Sequence, residues 1–318
     1  MATAEQCQKR LLKRLFHVNK EYERKGIFDM HWGDFVQSKV LSLSPLVMGI
    51  DPDPDHAPLE IGRDPQTFLD RYISALLDGA ADKIAFVKFQ SAYFEAWGSD
   101  GISSLARGIA SARERGLAVI LDAKRGDIGS TAEAYARAYL EPKRSDLEVD
   151  CLTINPFLGP ETMEPFMRRA QDFGKGIFVL VKTSNTGSGW LQDAEVDGEP
   201  VSHRVAAFVS YWAEKTLGSS GVSSVGAVVG ATYPEQGQRL RQAMPSSIFL
   251  APGLGVQGAD PTAISALATS NAPVLISASR GVAAIEDRRI SMQSYIQLIG
   301  ERLESFKTSL EGKHNKHI

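Results

Sequence analysis

Eight short apolar runs, rich in Val and Ile and continuous rather than alternating, constrain this chain of 318 residues more than any other feature. They cover residues 45–51, 84–90, 117–124, 151–156, 176–183, 226–232, 247–253 and 274–280. Unbroken runs of this kind mark strands buried on both faces, the pattern of a parallel sheet. Parallel neighbours need crossovers, and segments long enough for a helix lie between the runs, 130–139 and 236–244 among them. The first of these carries the capping-box pattern Ser130-x-x-Glu133. Eight such alternations predict an α/β chain folded as a (β/α)8 TIM barrel with N-terminal and C-terminal helical extensions. A doubly wound open sheet is the alternative, but no G-x-G-x-x-G follows the first run. The expected division is an N-terminal helical extension over 1–34, a barrel catalytic domain over 35–288, and a C-terminal helix (290–310) with a polar tail over 289–318.

Composition narrows the function classes. With 43% hydrophobic and 23% charged residues the chain is neither disordered nor fibrous. Lys+Arg 35 against Asp+Glu 38 leaves a net charge of −3, so no basic excess points to nucleic acid. The longest apolar runs, such as 177–181, fall far short of the roughly 20 residues that cross a bilayer, so no membrane partner is expected. Cys7 and Cys151 are the only cysteines. They make no disulfide framework, and Cys151 opens a strand, which predicts a buried free thiol in a reducing cytoplasm. The six histidines are scattered, with His314 and His317 in the tail, so no metal is expected. Asp51, Asp53 and Asp55 imitate a calcium loop, but Pro52, Pro54 and the missing glycine argue against one. The basic stretch 9–25 has apolar residues near helical spacing. Glu5, Glu21 and Glu23 favour a helix packed on the domain over an acid-poor transit peptide.

In a barrel, function sits on the loops that follow the strands. Asp51, Lys88, Asp122 with Lys124, Asn155, Thr183 with Ser184, Thr232 and Arg280 all stand at or just past the ends of the runs. In the segment Leu121-Asp-Ala-Lys-Arg-Gly-Asp-Ile128, Asp122 and Lys124 share a strand face. Gly126 is expected to bend the chain so that Asp127 swings back over the mouth. Lys88 from the neighbouring strand completes an alternating charge array. Flanking carboxylates favour a charged ammonium on Lys124, a poor Schiff-base nucleophile but a good fixed cation and proton donor. A structural ion pair of Lys88 and Asp122 is the plainer alternative. Pro252-Gly-Leu-Gly-Val-Gln-Gly258 and Ala278-Ser-Arg-Gly281 follow the seventh and eighth runs, where such barrels often bind phosphate. Arg280 supplies a bidentate donor there. A rival reading takes Lys182, in Val181-Lys-Thr-Ser184, as the Schiff-base lysine of a sugar-phosphate aldolase; another takes the chain as a non-catalytic nucleotide-binding barrel.

Phe86-Val-Lys-Phe-Gln90, the Asp122–Ile128 segment, Val181-Lys-Thr-Ser-Asn185, Val228-Val-Gly-Ala-Thr-Tyr-Pro234 and Pro252-Gly-Leu-Gly-Val-Gln257 together resemble the longer branch of the orotidine 5′-phosphate decarboxylase family. The resemblance runs from about Phe35 to Gly281. It implies cofactor-free loss of CO2 from orotidine 5′-phosphate, a small-molecule nucleotide substrate. Lys124 would be the general acid, with Lys88, Asp122 and Asp127 as the rest of the charged network. Asp51 would bind a ribose hydroxyl and Ser184 the pyrimidine amide, while Pro252, Gln257, Ser279 and Arg280 belong to the phosphate side. Asp127, Ile128 and Thr131 would enter a partner's pocket, so the resemblance implies a homodimer with shared active sites. Two positions depart from the branch: Thr186 stands where proline is frequent, and Ala278 precedes Ser279 where two serines are usual. The segment 187–199, rich in small and polar residues, is the candidate lid.

Overall fold

The eight runs become eight strands: β1 Leu46–Ile50, β2 Phe86–Gln90, β3 Ala118–Arg125, β4 Cys151–Ile154, β5 Gly176–Lys182, β6 Val225–Val229, β7 Phe249–Pro252 and β8 Val274–Ala278. A computed structural model describes residues 30–230, 234–252, 267–269 and 271–314 of the chain. Every neighbouring strand pair is parallel, and β1 pairs with both β2 and β8, which closes the sheet into a barrel. The expected (β/α)8 fold is the observed one. Crossover helices include Pro65–Ala80, Gly98–Glu114, Gly129–Leu140, Pro160–Phe173, Val201–Lys215 and Pro234–Ala243. Among the described residues no helix is long and apolar enough to cross a membrane.

The two-residue period of a strand sorts the side chains into two cores. Met48, Val87, Phe89, Val119 and Leu121 point outward and pack under the helices. Phe86, Ala118, Ile120, Cys151, Phe178 and Leu275 point inward and fill the barrel. Each fully buried Phe or Leu contributes about 1.5–3 kcal/mol relative to exposure. Cys151 is the expected buried free thiol, and burial in this apolar layer pushes it well above the ordinary thiol range. Further along the same inward rows the residues turn polar: Phe86 is followed by Lys88, Ile120 by Asp122, Cys151 by Thr153 and Phe178 by Lys182. The interior therefore grades from apolar at the strand starts to charged at the strand ends.

The apolar end is closed by the helix Trp32–Ser42, which runs across the expected division at residue 34. Trp32 and Phe35 belong to the interior cluster, with ring centroids 6.2 and 5.8 Å from Phe86. The buried Asp34 fastens this helix to the loop before β6. Its carboxylate accepts the backbone N–H and hydroxyl of Ser219 (2.9 and 2.8 Å) and of Ser220 (2.7 and 2.6 Å).

Two local expectations are corrected. The helix Gly129–Leu140 is not opened by a Ser130 capping box, because its N-cap is Ile128 and Ser130 lies inside the first turn. Glu133 instead pairs with Arg169 of the adjacent helix, a stronger charged contact than a backbone cap. The C-terminal helix spans Met292–His314, so it ends four residues later than the expected 310 and takes in the first residues of the polar tail.

Candidate active site

The charged ends of β1, β2 and β3 converge. Asp122 on β3 is the hub: its Oδ2 lies 3.2 Å from Lys88 Nζ, and its Oδ1 lies 2.6 Å from Lys124 Nζ. Lys88 is buried and its Nζ also lies 3.4 Å from Gln90 Oε1. Burial works against the Lys88 ammonium, but Asp122 and Asp51 outweigh it and hold the lysine above its ordinary range. For Asp122 burial likewise opposes the charged form, and Lys88 and Lys124 overcome it, holding the carboxyl below its ordinary range. Two charged groups that each suffer desolvation stabilise one another in their charged forms. Lys124 is the most accessible of the three, its side chain 42% exposed at the mouth.

The bend after β3 is not where the sequence suggested. Gly126 is absent from the positive-φ residues, whereas Lys124 has φ 49°. The register with β4 shifts between Leu121 and Arg125, so the strand bulges at the lysine itself. Gly126 is needed for another reason: a Cβ there would stand 2.9 Å from the carbonyl oxygen of Asn155. Asp127 does not swing back onto its own chain's lysines; its Oδ1 accepts the Ile128 N–H at 2.8 Å. Ile128 is 62% exposed and Thr131 is exposed beside it. So the structure gathers Lys88, Asp122 and Lys124, leaves Asp127 half-buried beside the array, and exposes Ile128 and Thr131.

Asp51 follows β1 and faces Lys88. Its Oδ1 is buried without a hydrogen-bond donor, an acceptor left open to a ligand hydroxyl. Ser184 follows β5 and lies half-buried. Pro252 ends β7, and Ser279 follows β8, its Oγ where a Cβ on Gly49 would sit (1.8 Å). Arg280 is exposed at the same edge. Gln257, Thr232 and most of the 252–258 glycine loop fall outside the described residues.

Lys182 does not join the array. Its ammonium lies 2.6 and 2.7 Å from the two carboxylate oxygens of Asp193. An amine held in a two-point ion pair with Asp193 is not presented to a carbonyl substrate, which argues against the aldolase reading. The candidate lid 187–199 contains Asp193 and is thereby tied to β5. Gln192 adds a second tie, accepting the Thr183 N–H at 2.9 Å and donating to Thr183 Oγ1 at 2.8 Å. Between the ties and the solvent, Trp190 is 88% exposed.

Two residues escaped the sequence reading. Thr153, wholly buried on β4, donates from Oγ1 to Asp122 Oδ1 at 3.0 Å and accepts the Lys124 N–H at 2.9 Å. The inward parity of Cys151, Thr153 and Asn155 was the available signal. Arg125 pairs with Glu95 and lies 5.7 and 5.8 Å from the rings of Tyr135 and Tyr139, pinning the end of β3 to its neighbours. Its contacts are long-range and leave no mark in spacing.

A closed parallel barrel with lysines and carboxylates converging at the strand ends is the architecture of a barrel enzyme. Comparison with known proteins specifies which. The model of the orotidine 5′-phosphate decarboxylase / HUMPS family matches residues 44–295, and the chain belongs to that family. An orotidine 5′-phosphate decarboxylase of Rhodopirellula baltica is 46% identical over 216 residues, 67% of this chain and 72% of that protein. One from Nocardioides is 37% identical over 279 residues, covering 86% of this chain and 99% of the relative. A crystal structure from Streptomyces avermitilis described under the same enzyme name aligns with a TM-score of 0.72 at 33% identity, covering 89% of this chain and 96% of that one.

Proposed function

We propose that this chain converts orotidine 5′-phosphate to uridine 5′-phosphate and CO2, the last step of de novo pyrimidine nucleotide synthesis, and that its own side chains carry the reaction without a cofactor. The observation that carries the reading is the Lys88–Asp122–Lys124 array at the mouth of a barrel of this family. Breaking the bond between the ring carbon and the carboxylate leaves an electron pair in the ring plane, where no adjacent carbonyl π-system absorbs it. A fixed ammonium beside that carbon stabilises the developing charge before and during the break. Lys124 then gives a proton from Nζ to the same carbon and is reprotonated from solvent. Asp122 holds both lysines and opposes the substrate carboxylate, a repulsion that ends when neutral CO2 departs.

The remaining assignments rest on the family resemblance. The open Oδ1 of Asp51 suits a ribose hydroxyl. Ser184 reads the base amide, and Pro252, Gln257, Ser279 and Arg280 hold the phosphate, whose binding energy is remote from the reacting carbon. Asp127, Ile128 and Thr131 serve the pocket of a second copy of the chain in a homodimer. In support, the lysine array closes without Asp127, and Ile128 (62%), Phe157 (71%) and Leu158 (47%) expose apolar surface on loops at one end of the barrel. A cytoplasmic setting suits the buried, unpaired Cys151. Incubation of the purified protein with orotidine 5′-phosphate, followed by ultraviolet absorbance, tests the activity directly. Loss of the substrate band with uridine 5′-phosphate accumulating is the expected result; an unchanged spectrum overturns the reading.

A further inference from the structure

Four described non-glycine residues have positive φ: Asp82, Lys124, Lys143 and Asp197. Three lie in turns between elements, and only Lys124 lies inside a barrel strand. An L-residue held there is strained, so the surroundings must over-determine the conformation. The bulge between Leu121 and Arg125 has already removed the regular ladder to β4 at this point. The Lys124 N–H therefore lacks a strand carbonyl and turns to a side chain, Thr153 Oγ1, at 2.9 Å.

That hydroxyl has a single hydrogen, and it is spent on Asp122 Oδ1 at 3.0 Å. The same oxygen receives the Lys124 ammonium at 2.6 Å, while Oδ2 receives Lys88 at 3.2 Å. One wholly buried oxygen thus fixes the backbone of the lysine and the carboxylate that aims its side chain. We infer that Thr153 is a positioning residue for the decarboxylation, holding Lys124 in its left-handed bulge with the ammonium over the reacting carbon. It touches no substrate and acts through Lys124 and Asp122. Valine at this position keeps the shape but orphans the Lys124 N–H inside the protein and leaves Asp122 Oδ1 short of a donor. The backbone then relaxes toward ordinary strand geometry and carries the ammonium away, and a displacement of about 1 Å at a reacting group costs about a hundredfold in rate.

The inference rests on the activity proposed above, and the test separates the two. Thr153→Val and Thr153→Ser are assayed with orotidine 5′-phosphate, and hydrogen exchange of the Lys124 amide is followed in both. In Thr153→Val, kcat falls about a hundredfold, KM stays within about threefold because the substrate-binding groups are untouched, and the Lys124 amide exchanges at least about tenfold faster. Thr153→Ser, which keeps the hydroxyl, recovers most of kcat and of the protection. A folded Thr153→Val whose kcat lies within about threefold of the parent overturns the inference alone. So does a Thr153→Ser as impaired as the valine variant, since the hydroxyl would then be irrelevant. An inactive parent chain overturns the activity itself, and the positioning role with it.

Discussion

Replacing Lys124 by Ala removes the ammonium and leaves the apolar layer beneath it intact, so the loss should fall on chemistry rather than folding. Lys124→Ala is expected to lower kcat at least about a thousandfold, close to 4 kcal/mol of barrier, with an unchanged circular dichroism spectrum. Arg280 stands at the opposite side of the reaction. Arg280→Ala is expected to raise KM for orotidine 5′-phosphate, while turnover of orotidine, which lacks the phosphate, stays the same; equal losses on both substrates would place Arg280 in the fold instead. Residue-level legibility was uneven. Lys88, Asp122 and Lys124 could be read because charge inside an apolar run is costly unless paired, and pairing is what the structure shows. The left-handed Lys124 and the role of Gly126 could not, because counting alternate residues assumes an unbulged strand and cannot foresee the Asn155 carbonyl 2.9 Å from a Cβ on Gly126.

Elements were more readable than their junctions. The eight runs predict the barrel strands to within two residues at either end, save the end of β6, which stops three residues short of its run, because burial on both faces leaves so little room for polar residues. The junctions depend on long-range contacts. Glu133 matched a capping pattern but was drawn to Arg169, and Lys182 matched an aldolase motif but was drawn to Asp193. The Asp34 fastening belongs to this scale, joining residues 185 and 186 apart. Partial burial disfavours the Asp34 carboxylate, yet the Ser220 and Ser219 donors more than offset this and hold it below its ordinary range. A depressed value in the folded state means that the fastening is fully present above the unfolded carboxyl value of about 3.9 and is lost as pH falls through the folded value. Asp34→Ala is therefore expected to cost about 1–2 kcal/mol at pH 7, because the Ser219 and Ser220 donors are exposed and can turn to water once the charged acceptor is gone. Urea titrations of parent and variant should show this gap holding from pH 8 to about 5 and narrowing as the solution is acidified below about 4.

At the scale of the whole molecule the barrel has a sealed apolar end and a charged open one, and a second copy of the chain is proposed to meet it at the open end. Mixing the two inactive variants Lys124→Ala and Asp127→Ala tests this. In a heterodimer of a two-fold pair, one pocket receives both defects and the other neither, so up to about half the parent rate per heterodimer should return. No recovery after verified subunit exchange would assign Asp127 to its own chain's pocket. Two of the four tryptophans fall out along the same axis: Trp32, 3% exposed, is sealed into the closed end, while Trp190, 88% exposed, stands on the segment tied down by Gln192 and Asp193. Of the four emitters only Trp190 stands almost wholly in water, so the fluorescence lost on Trp190→Phe isolates a red-shifted label that an aqueous quencher reaches freely, while buried Trp32 reports on unfolding. Any closure of that segment over a bound nucleotide would be visible as protection of Trp190 while Trp32 stays dark to the event.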